Sequence, residues 1–266
     1  GKYKLKSNQV EYLHQDVASA IPVGNFDAIF HLAATPRIRL SQKDPFGTIT
    51  NNFNSTMVVA EYARRERIPL FFAASSSTRF VHHQENPYTF SKCVNEEVLQ
   101  LYHKEFGLEY HNLYFYNVYG PREADYGEYS TVVRAFKKCV ENNEPLRIFG
   151  SGRKQRDFTH IHDVIDGILQ LLTTKNKPKN VHLGTGNPVS IMDIAKAFDH
   201  DFIHEFDKKG EAEITECEKP YIDAQYDVIG YIKKWKSDFE EERILHNVNK
   251  DLRKVEEKYA KIDSGQ

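Results

Sequence analysis

The sequence predicts an α/β protein built on a parallel β-sheet, and three observations support this. Short apolar runs alternate with longer segments whose apolar residues recur at helical spacing, the pattern of strands joined by crossover helices. The 266 residues suffice for one large domain or a domain with a smaller lobe. The composition, 40% hydrophobic and 28% charged, is ordinary for a globular protein.

The first half of the chain alternates most regularly. Strands are predicted where apolar runs are short, and helices where the apolar spacing is three to four residues. The helix that begins at Tyr88 is expected to stop at Gly107, because glycine commonly follows a helix end. The predicted strands cover residues 10–13, 26–32, 70–74 and 110–116, and the predicted helices cover 44–67 and 88–106.

The second half has the same kinds of element at looser spacing. After Gly120-Pro121, shorter strands and helices alternate, and the chain ends in a charged segment with helical spacing. Strands are predicted at 146–149, 158–161, 180–183 and 203–205, and helices at 130–143, 163–172, 190–198 and 237–261.

Composition excludes several classes of protein. A formal net charge of −2 argues against a general nucleic-acid-binding protein. The sequence has no apolar run of about 20 residues, so no membrane association is expected. The three cysteines, Cys93, Cys139 and Cys217, are far apart and suggest neither a disulfide framework nor a metal site. A reducing cytoplasm is the simplest location.

Tyr88 and Lys92 form the most informative pair of polar residues. Positions four apart on a helix share a face, so the phenol and the ammonium can serve one site. A nearby cation favours the phenolate and lowers the pKa of a tyrosine. Such a tyrosine can act as a general acid or base, although this spacing is also common on surface helices.

Small and hydroxyl-bearing residues follow two of the predicted strands. Ala33 and Ala34 come after the strand at 26–32, and Ser75 and Ser77 come after the strand at 70–74. Ligands of open α/β sheets bind at the carboxyl ends of the strands. These positions therefore predict a ligand site. Tight core packing is the alternative explanation for Ala33 and Ala34, and a plain loop is the alternative for Ser75 and Ser77.

Several further motifs occur in order along the chain. They are His31-Leu32-Ala33-Ala34, Asn52-Phe53-Asn54-Ser55-Thr56, Ser75-Ser76-Ser77, Tyr88 with Lys92, Asn117-Val118-Tyr119-Gly120-Pro121-Arg122 and Gln155-Arg156-Asp157-Phe158. Their order resembles that of the extended short-chain dehydrogenases/reductases that act on nucleotide sugars. The resemblance implies a Rossmann-type parallel sheet, formed by 1–121 with 156–183. A smaller C-terminal α/β substrate lobe would comprise 122–155 with 184–266.

The resemblance also implies roles for individual residues. Tyr88 would be the catalytic acid/base, Lys92 would tune it and hold the nicotinamide ribose, and Ser77 would hydrogen-bond the reacting hydroxyl. The expected cofactor is NAD, and the expected substrate is a nucleotide sugar with UDP as the expected nucleotide. Cofactor-binding positions are Asp16, Ala33, Ala34, Asn52, Ser75, Tyr88, Lys92 and Phe115, and substrate-binding positions are Ser77, Asn117 and Arg156.

Comparison within the family favours a UDP-sugar 4-epimerase. The 4,6-dehydratases carry an acidic pair directly after the catalytic hydroxyl, where this chain has Thr78 and Arg79. Arg79 also departs from the glutamate that is usual in the decarboxylases. The run from Tyr126 to Val133 is similar to the 4-epimerase segment. A reductase or decarboxylase acting on the same sugar nucleotides stays open as an alternative, and a homodimer is the expected assembly.

The phosphate-binding loop is the main departure from the family pattern. Neither GxxGxxG nor GxGxxG occurs in the 266 residues. Residues 1–8 resemble the stretch after the family's second strand, so the family's first βαβ unit is expected to be absent. A fragment of a longer chain and a descendant that has lost activity are both consistent with this. If activity has been lost, the chain would be a non-catalytic binding protein, and this stays open as an alternative.

Overall fold

The computed structural model of the chain describes residues 9–125, 129–207 and 211–263. Part of the epimerase-like run, Tyr126 to Glu128, therefore lies outside the described residues. The predicted α/β class with a parallel sheet is confirmed.

The main sheet has four parallel strands in the order β1-β2-β3-β6. Every residue of β2 is buried, as expected of an interior strand of a parallel sheet. Its residues alternate between the two faces of the sheet, so Phe72 and Phe71 join different hydrophobic clusters. The strands are β1 (Ile29–His31), β2 (Leu70–Ser75), β3 (Tyr110–Phe115) and β6 (Asn180–Leu183).

Helices cover both faces of this sheet. Val59 of α2 and Leu99 of α4 share a cluster with Phe72, whereas Val164 of α6 packs with Phe71 on the opposite face. The helices of this part are α1 (Ile38–Lys43), α2 (Pro45–Glu66), α3 (Ser77–Phe80), α4 (Pro87–Phe106) and α6 (Ile161–Thr173), with a 3₁₀ turn at His83–Glu85.

The helix boundaries follow from local sequence signals. Asp44 caps α2 by accepting a hydrogen bond from the Gly47 amide at 2.8 Å, and proline occupies the first turn. Asn86 caps α4 in the same way, accepting from the Thr89 amide at 2.8 Å. Gly107 ends α4 with a φ of 72°, a left-handed conformation in which glycine carries no Cβ penalty.

The remaining elements pack around a third cluster. Phe136, Ile148, Phe198 and Ile232 are among its buried members. Strands β4 and β8 pair in parallel, and β5 lies between β7 and β9. The elements are α5 (Val132–Glu141), β4 (Leu146–Phe149), β5 (Gln155–Asp157), β7 (Pro188–Ser190), α7 (Ile191–Ala197), β8 (Phe202–Glu205), β9 (Ile214–Thr215) and α8 (Val228–Asp263). The assignment of two domains stays a prediction.

Two predicted strands are wrong. Residues 10–13 form no strand, and Val10 and Leu13 are exposed, so their apolar side chains have no sheet to pack on in the described part of the chain. The strand predicted at 158–161 lies earlier, at β5, because its partners β7 and β9 pair with Gln155 to Asp157. Within the described residues, no helix combines the length and apolarity that a bilayer span requires.

Candidate active site

The candidate site lies where the carboxyl end of β2 meets the first turn of α4. Ser75 ends β2 in register with Phe115, the last residue of β3. Asn86 and Pro87 begin α4, and this start places Tyr88 in its first turn. The site thus forms at the sheet edge where open α/β proteins bind ligands.

Tyr88 is half-buried, and its phenol lies near enough to the Ser75 hydroxyl for that group to affect the pKa of Tyr88. Burial raises the pKa of Tyr88, while the Ser75 hydroxyl and the positive charge of Arg37 act in the opposite direction. A group that must exchange a proton with substrate needs such opposing influences, because burial alone would keep the phenol protonated. Arg37 was not among the residues predicted from the sequence.

Hydroxyl groups continue from Tyr88 across the site. The Ser75 and Ser77 oxygens are 2.9 Å apart, and the Thr89 hydroxyl donates to Ser77 at 3.2 Å. Ser77 begins the short helix α3 and Thr89 follows Tyr88 on α4, so the chain of hydroxyls connects both elements. The structure therefore brings Ser75, Ser77 and Tyr88 together, as the sequence predicted.

Lys92 lies deeper than expected. Its ammonium is buried, donates to the Ala73 carbonyl at 2.8 Å and lies 4.8 Å from the centre of the Phe72 ring. Burial lowers the pKa of Lys92 to about 8, and the carboxylate of Glu96 opposes that shift. Lys92 is thus a buried ammonium with a lowered pKa, and its contact with the nicotinamide ribose stays a prediction.

Asn52 is a buried hydrogen-bond hub beneath the loop that follows β1. Its side-chain oxygen accepts from the Thr35 amide at 2.7 Å, and its nitrogen donates to the Thr35 carbonyl at 3.2 Å and to Ser91 at 2.9 Å. Asn95 donates to the Asn52 carbonyl at 3.0 Å. Asn52 consequently fixes the loop carrying Ala33, which is exposed, and Ala34, which is half-buried.

His31 sits at the end of β1, close to this hub. Its imidazole is buried and hydrogen-bonds to the Thr56 hydroxyl at 3.2 Å. Burial, reinforced by the positive charge of Lys92, lowers the pKa of His31 to about 4. The ring is therefore neutral at physiological pH and belongs to the frame of the site.

The other two predicted substrate-binding residues, Asn117 and Arg156, are held by hydrogen bonds within the chain. Asn117 is exposed, has a φ of 31° and donates to the Asp157 carbonyl at 3.0 Å. Arg156 lies on β5 and donates to the Glu211 carboxylate at 3.2 Å and to the Gln155 carbonyl at 2.8 Å. A phosphate at Arg156 would have to compete with Glu211, so its role in binding stays a prediction.

Two further predicted cofactor-binding positions are not members of this chain of hydroxyls, although Phe115 is the β3 partner of Ser75. Asp16 is exposed and accepts from the Ala18 amide at 3.0 Å within its own turn. Phe115 is half-buried and packs against the cluster on the α6 face of the sheet. The described part of the chain shows no group of three His, Cys, Asp or Glu side chains able to hold a metal ion.

Comparison with known proteins decides the family. The model of the NAD dependent epimerase/dehydratase family matches residues 4–184, more than half of the chain. The chain belongs to this family.

Two curated relatives show the range of reactions that members of the family are named for. A putative UDP-glucose 4-epimerase of Methanocaldococcus jannaschii is 31% identical over 70% of this chain and 65% of its own length. A UDP-N-acetyl-α-D-glucosaminuronate decarboxylase of Bacillus cytotoxicus is 24% identical over 70% of this chain and 62% of its own length. The chain thus spans less than two thirds of these relatives.

A solved structure of the family agrees in fold. The UDP-glucuronic acid 4-epimerase of Bacillus cereus, determined with UDP-glucuronic acid and NAD, superimposes with a TM-score of 0.70. The two proteins are 25% identical, and the match covers 84% of this chain and 79% of that one.

The sequence did not predict a network of charged and polar residues around Glu96, behind the site. Glu96, one turn after Lys92, accepts hydrogen bonds from Thr78 at 3.0 Å, from the Tyr114 phenol at 2.6 Å and from Arg79. These bonds tie α3, which carries Ser77, to α4, which carries Tyr88. The position of Glu96 four residues after Lys92 was the one available signal, since residues at that spacing share a helix face.

Proposed function

We propose that this chain carries the catalytic residues of an NAD-dependent nucleotide-sugar 4-epimerase whose substrate is a UDP-linked hexose or hexose derivative. The observation that carries the proposal is the connected set of Tyr88, Ser75 and Ser77 at the carboxyl end of β2. The set supports proton exchange with a hydroxyl group, the step at which this reaction begins and ends.

In the proposed reaction, Tyr88 takes the proton from the C4 hydroxyl of the sugar as the C4–H bond breaks. Ser77 hydrogen-bonds the same oxygen, and the Ser75 hydroxyl stabilises the Tyr88 phenolate that accepts the proton. The resulting 4-keto sugar rotates in the site and presents its other face. After hydride has been delivered to that face, Tyr88 returns the proton to O4. The product leaves with inverted configuration at C4 and no net change in oxidation state.

The loop after β1 fits the nicotinamide end of the cofactor. Ala33 is exposed and both Ala33 and Ala34 lack side-chain atoms beyond Cβ, so a flat ring can approach the backbone there. When NAD is bound, it supplies the acceptor and then the donor of the C4 hydride. Asn52, which holds the loop through Thr35, supports this role by positioning the two alanines.

The surroundings of Ser77 favour epimerisation over elimination of water. A dehydratase needs an additional acid and base beside the catalytic hydroxyl, but Thr78 and Arg79 both bind Glu96. Arg79 also donates to the Tyr114 phenol at 2.9 Å. A decarboxylase differs in its product, and product analysis therefore distinguishes it.

The test is to incubate the chain with NAD⁺ and UDP-glucose, UDP-glucuronate or UDP-N-acetylglucosamine, and to follow the C4 epimers by NMR. We expect one of them to be interconverted, with a loss of about 10²-fold or more in Tyr88→Phe. Tyr102→Phe, a half-buried tyrosine later on α4, is the matched control and should retain activity.

Other outcomes would replace the proposal. Release of CO₂ from UDP-glucuronate would indicate a decarboxylase, and a net reduction that consumes NADH would indicate a reductase. A folded chain that binds a UDP-sugar without turnover would favour the non-catalytic binding protein.

We also propose that the protein assembles as a homodimer. Leu101 and Phe106 on α4 are exposed apolar side chains, which supports a helical contact surface. Analytical ultracentrifugation should give twice the chain mass, and a monomer across the micromolar range would contradict this assembly.

A further inference from the structure

Arg37 adopts a backbone conformation that is unusual for a residue with a side chain. Its φ is 81° and its ψ is 129°. Arg67, by comparison, has a φ of 56° and a ψ of 41°, the left-handed conformation common at helix ends. A φ and ψ such as those of Arg37 suit glycine, and a strained residue of this kind persists only where the surrounding structure imposes it.

The Arg37 side chain bridges the two parts of the fold beside the catalytic tyrosine. Its guanidinium donates to the Tyr129 carbonyl at 2.9 Å, 92 positions away in the sequence. The loop that leads to Arg37 is held against the first turns of α4 through Asn52, which bonds to Thr35 and to Ser91. The positive charge of Arg37 also acts on the pKa of Tyr88. Arg37 retains exposed surface although neighbouring atoms partly desolvate its guanidinium, so a ligand can reach it.

Arg37 has the capacity to bind an anion at this place. A guanidinium carries five N–H donors, and the hydrogen bonds of the described residues use one of them, the bond to Tyr129. The nearby carboxyl of Glu123 is a partial counter-charge, but it accepts a hydrogen bond from Thr131, and burial raises its pKa. The planar fork of the guanidinium suits a carboxylate with two parallel hydrogen bonds.

The chemistry of the sugar identifies the anion, on the basis of the proposed 4-epimerase function. Tyr88 would contact the hydroxyl on C4, whose ring neighbours are C3 and C5. In glucose, glucuronate and N-acetylglucosamine, C3 carries a neutral hydroxyl, and the diphosphate is attached to C1 on the opposite side of the ring. The one ionised substituent that these three sugars carry near C4 is the C6 carboxylate of glucuronate.

We infer that Arg37 is a specificity-determining residue of the sugar site and that it selects nucleotide-linked hexuronates by binding their C6 carboxylate. The neutral hydroxymethyl group of an ordinary hexose offers the guanidinium no charge-assisted hydrogen bond. Discrimination between the two sugars therefore rests on one side chain.

The experiment compares UDP-glucuronate with UDP-glucose, which share base, diphosphate and ring and differ at C6. The wild-type chain with NAD⁺ should prefer UDP-glucuronate in both kcat/KM and calorimetric Kd. Arg37→Gln should reduce the preference by about 10- to 100-fold, the range expected for a lost hydrogen bond to a charged group. Any effect of the substitution on Tyr88 acts on both sugars alike, so the ratio of the two values, and not either value alone, is the readout.

Two further variants separate recognition from folding. Arg37→Gly removes the guanidinium but suits the backbone conformation, so it should lose the preference with no loss of thermal stability. Arg67→Gln, the control, removes an exposed arginine with positive φ at the carboxyl end of α2 and should keep the preference.

The outcomes also distinguish this inference from the proposed function. Selective binding of UDP-glucuronate that Arg37→Gln abolishes, without turnover, would support the carboxylate site and contradict the epimerase. Equal losses for both sugars would overturn the inference and leave the epimerase standing, because Arg37 would then act on Tyr88 or on the diphosphate. Wild-type binding with no preference, or no binding of either sugar, would also overturn it.

Discussion

The two sides of the Tyr88 phenol differ in how their polar groups are used. On the buried side, Lys92 bonds to Ala73, while Asn52 bonds to Thr35 and Ser91. On the solvent side, Arg37 retains exposed surface.

This difference separates the frame of the site from its selectivity. A buried polar group that loses its partner costs the full penalty of desolvation, so substitutions on the buried side should affect folding or the reaction as a whole. Groups on the solvent side, such as the Arg37 guanidinium, can exchange water for substrate at little cost to the stability of the fold. Substitutions there should change which sugar is accepted.

The largest expected effect is that of Lys92→Met on activity. The thioether fills similar volume but carries no charge, so we expect kcat to fall by about 10²- to 10⁴-fold, the range of a lost acid–base contribution. The free energy of unfolding should stay equal or rise, because a buried ammonium is costly to desolvate. Steady-state kinetics and urea unfolding measure both.

Lys104→Met is the matched control, since Lys104 lies on the same helix with its side chain 79% exposed. It should change neither quantity. Full activity of Lys92→Met would remove Lys92 from the catalytic residues and would break the distinction drawn above.

His31 should make the fold sensitive to acid. Because its pKa is about 4 in the folded chain and about 6.5 when unfolded, the unfolded chain binds more protons between these values. Stability contributed by the neutral ring is present above pH 6.5 and is lost as the pH falls towards 4. The loss amounts to at most about 3 kcal/mol.

Urea unfolding as a function of pH measures this effect. His31→Gln should flatten the dependence between pH 4 and 6.5, and the same substitution of the exposed His14 should not. An unchanged slope in His31→Gln would place the acid sensitivity elsewhere.

Asn52→Ala should destabilise the chain by about 2 kcal/mol, because it leaves the part-buried Thr35 amide without its acceptor and removes the donor to the buried Ser91 hydroxyl. Asn51→Ala provides the control. Asn51 is exposed and donates to the Thr35 hydroxyl at 3.0 Å, so its loss should cost about 0.5 kcal/mol or less. If Asn52→Ala and Asn51→Ala lowered the free energy of unfolding equally in chemical denaturation, Asn52 would not be a hydrogen-bond hub.

The smallest effect is expected for Glu96→Gln. The amide cannot stabilise the Lys92 ammonium, so the pKa of Lys92 should fall further and the alkaline side of the pH–rate profile should move to lower pH. The exposed partner Arg79 loses a salt bridge worth about 1 kcal/mol or less. A pH–rate profile that does not move would separate Glu96 from Lys92.

Local signals in the sequence predicted the elements that carry the site. Helices α2 and α4 differ from their predicted limits by one residue at the ends, because Asp44 and Asn86 are caps and prolines follow them. Strand β2 extends one residue beyond its predicted end. Such elements are fixed by periodicity and capping, both of which are visible over a few neighbouring residues.

Long-range contacts explain what the sequence did not predict. Asn52 was expected to line the cofactor site, yet its partners Thr35 and Ser91 lie 17 and 39 positions away and bury it. Arg37 reaches Tyr129 across 92 positions, and its positive φ has no counterpart in the local residue pattern. Strand β5 was misplaced because its limits depend on β7 and β9.

The most direct test of the account is the fate of the C4 hydrogen. The chain would be incubated in D₂O with NAD⁺ and UDP-glucuronate or UDP-glucose, and the products would be analysed by NMR. Reversible hydride transfer predicts C4 epimers that keep protium at C4, and no such product with Tyr88→Phe. Deuterium at C4, or a product other than the C4 epimer, would contradict the proposed reaction.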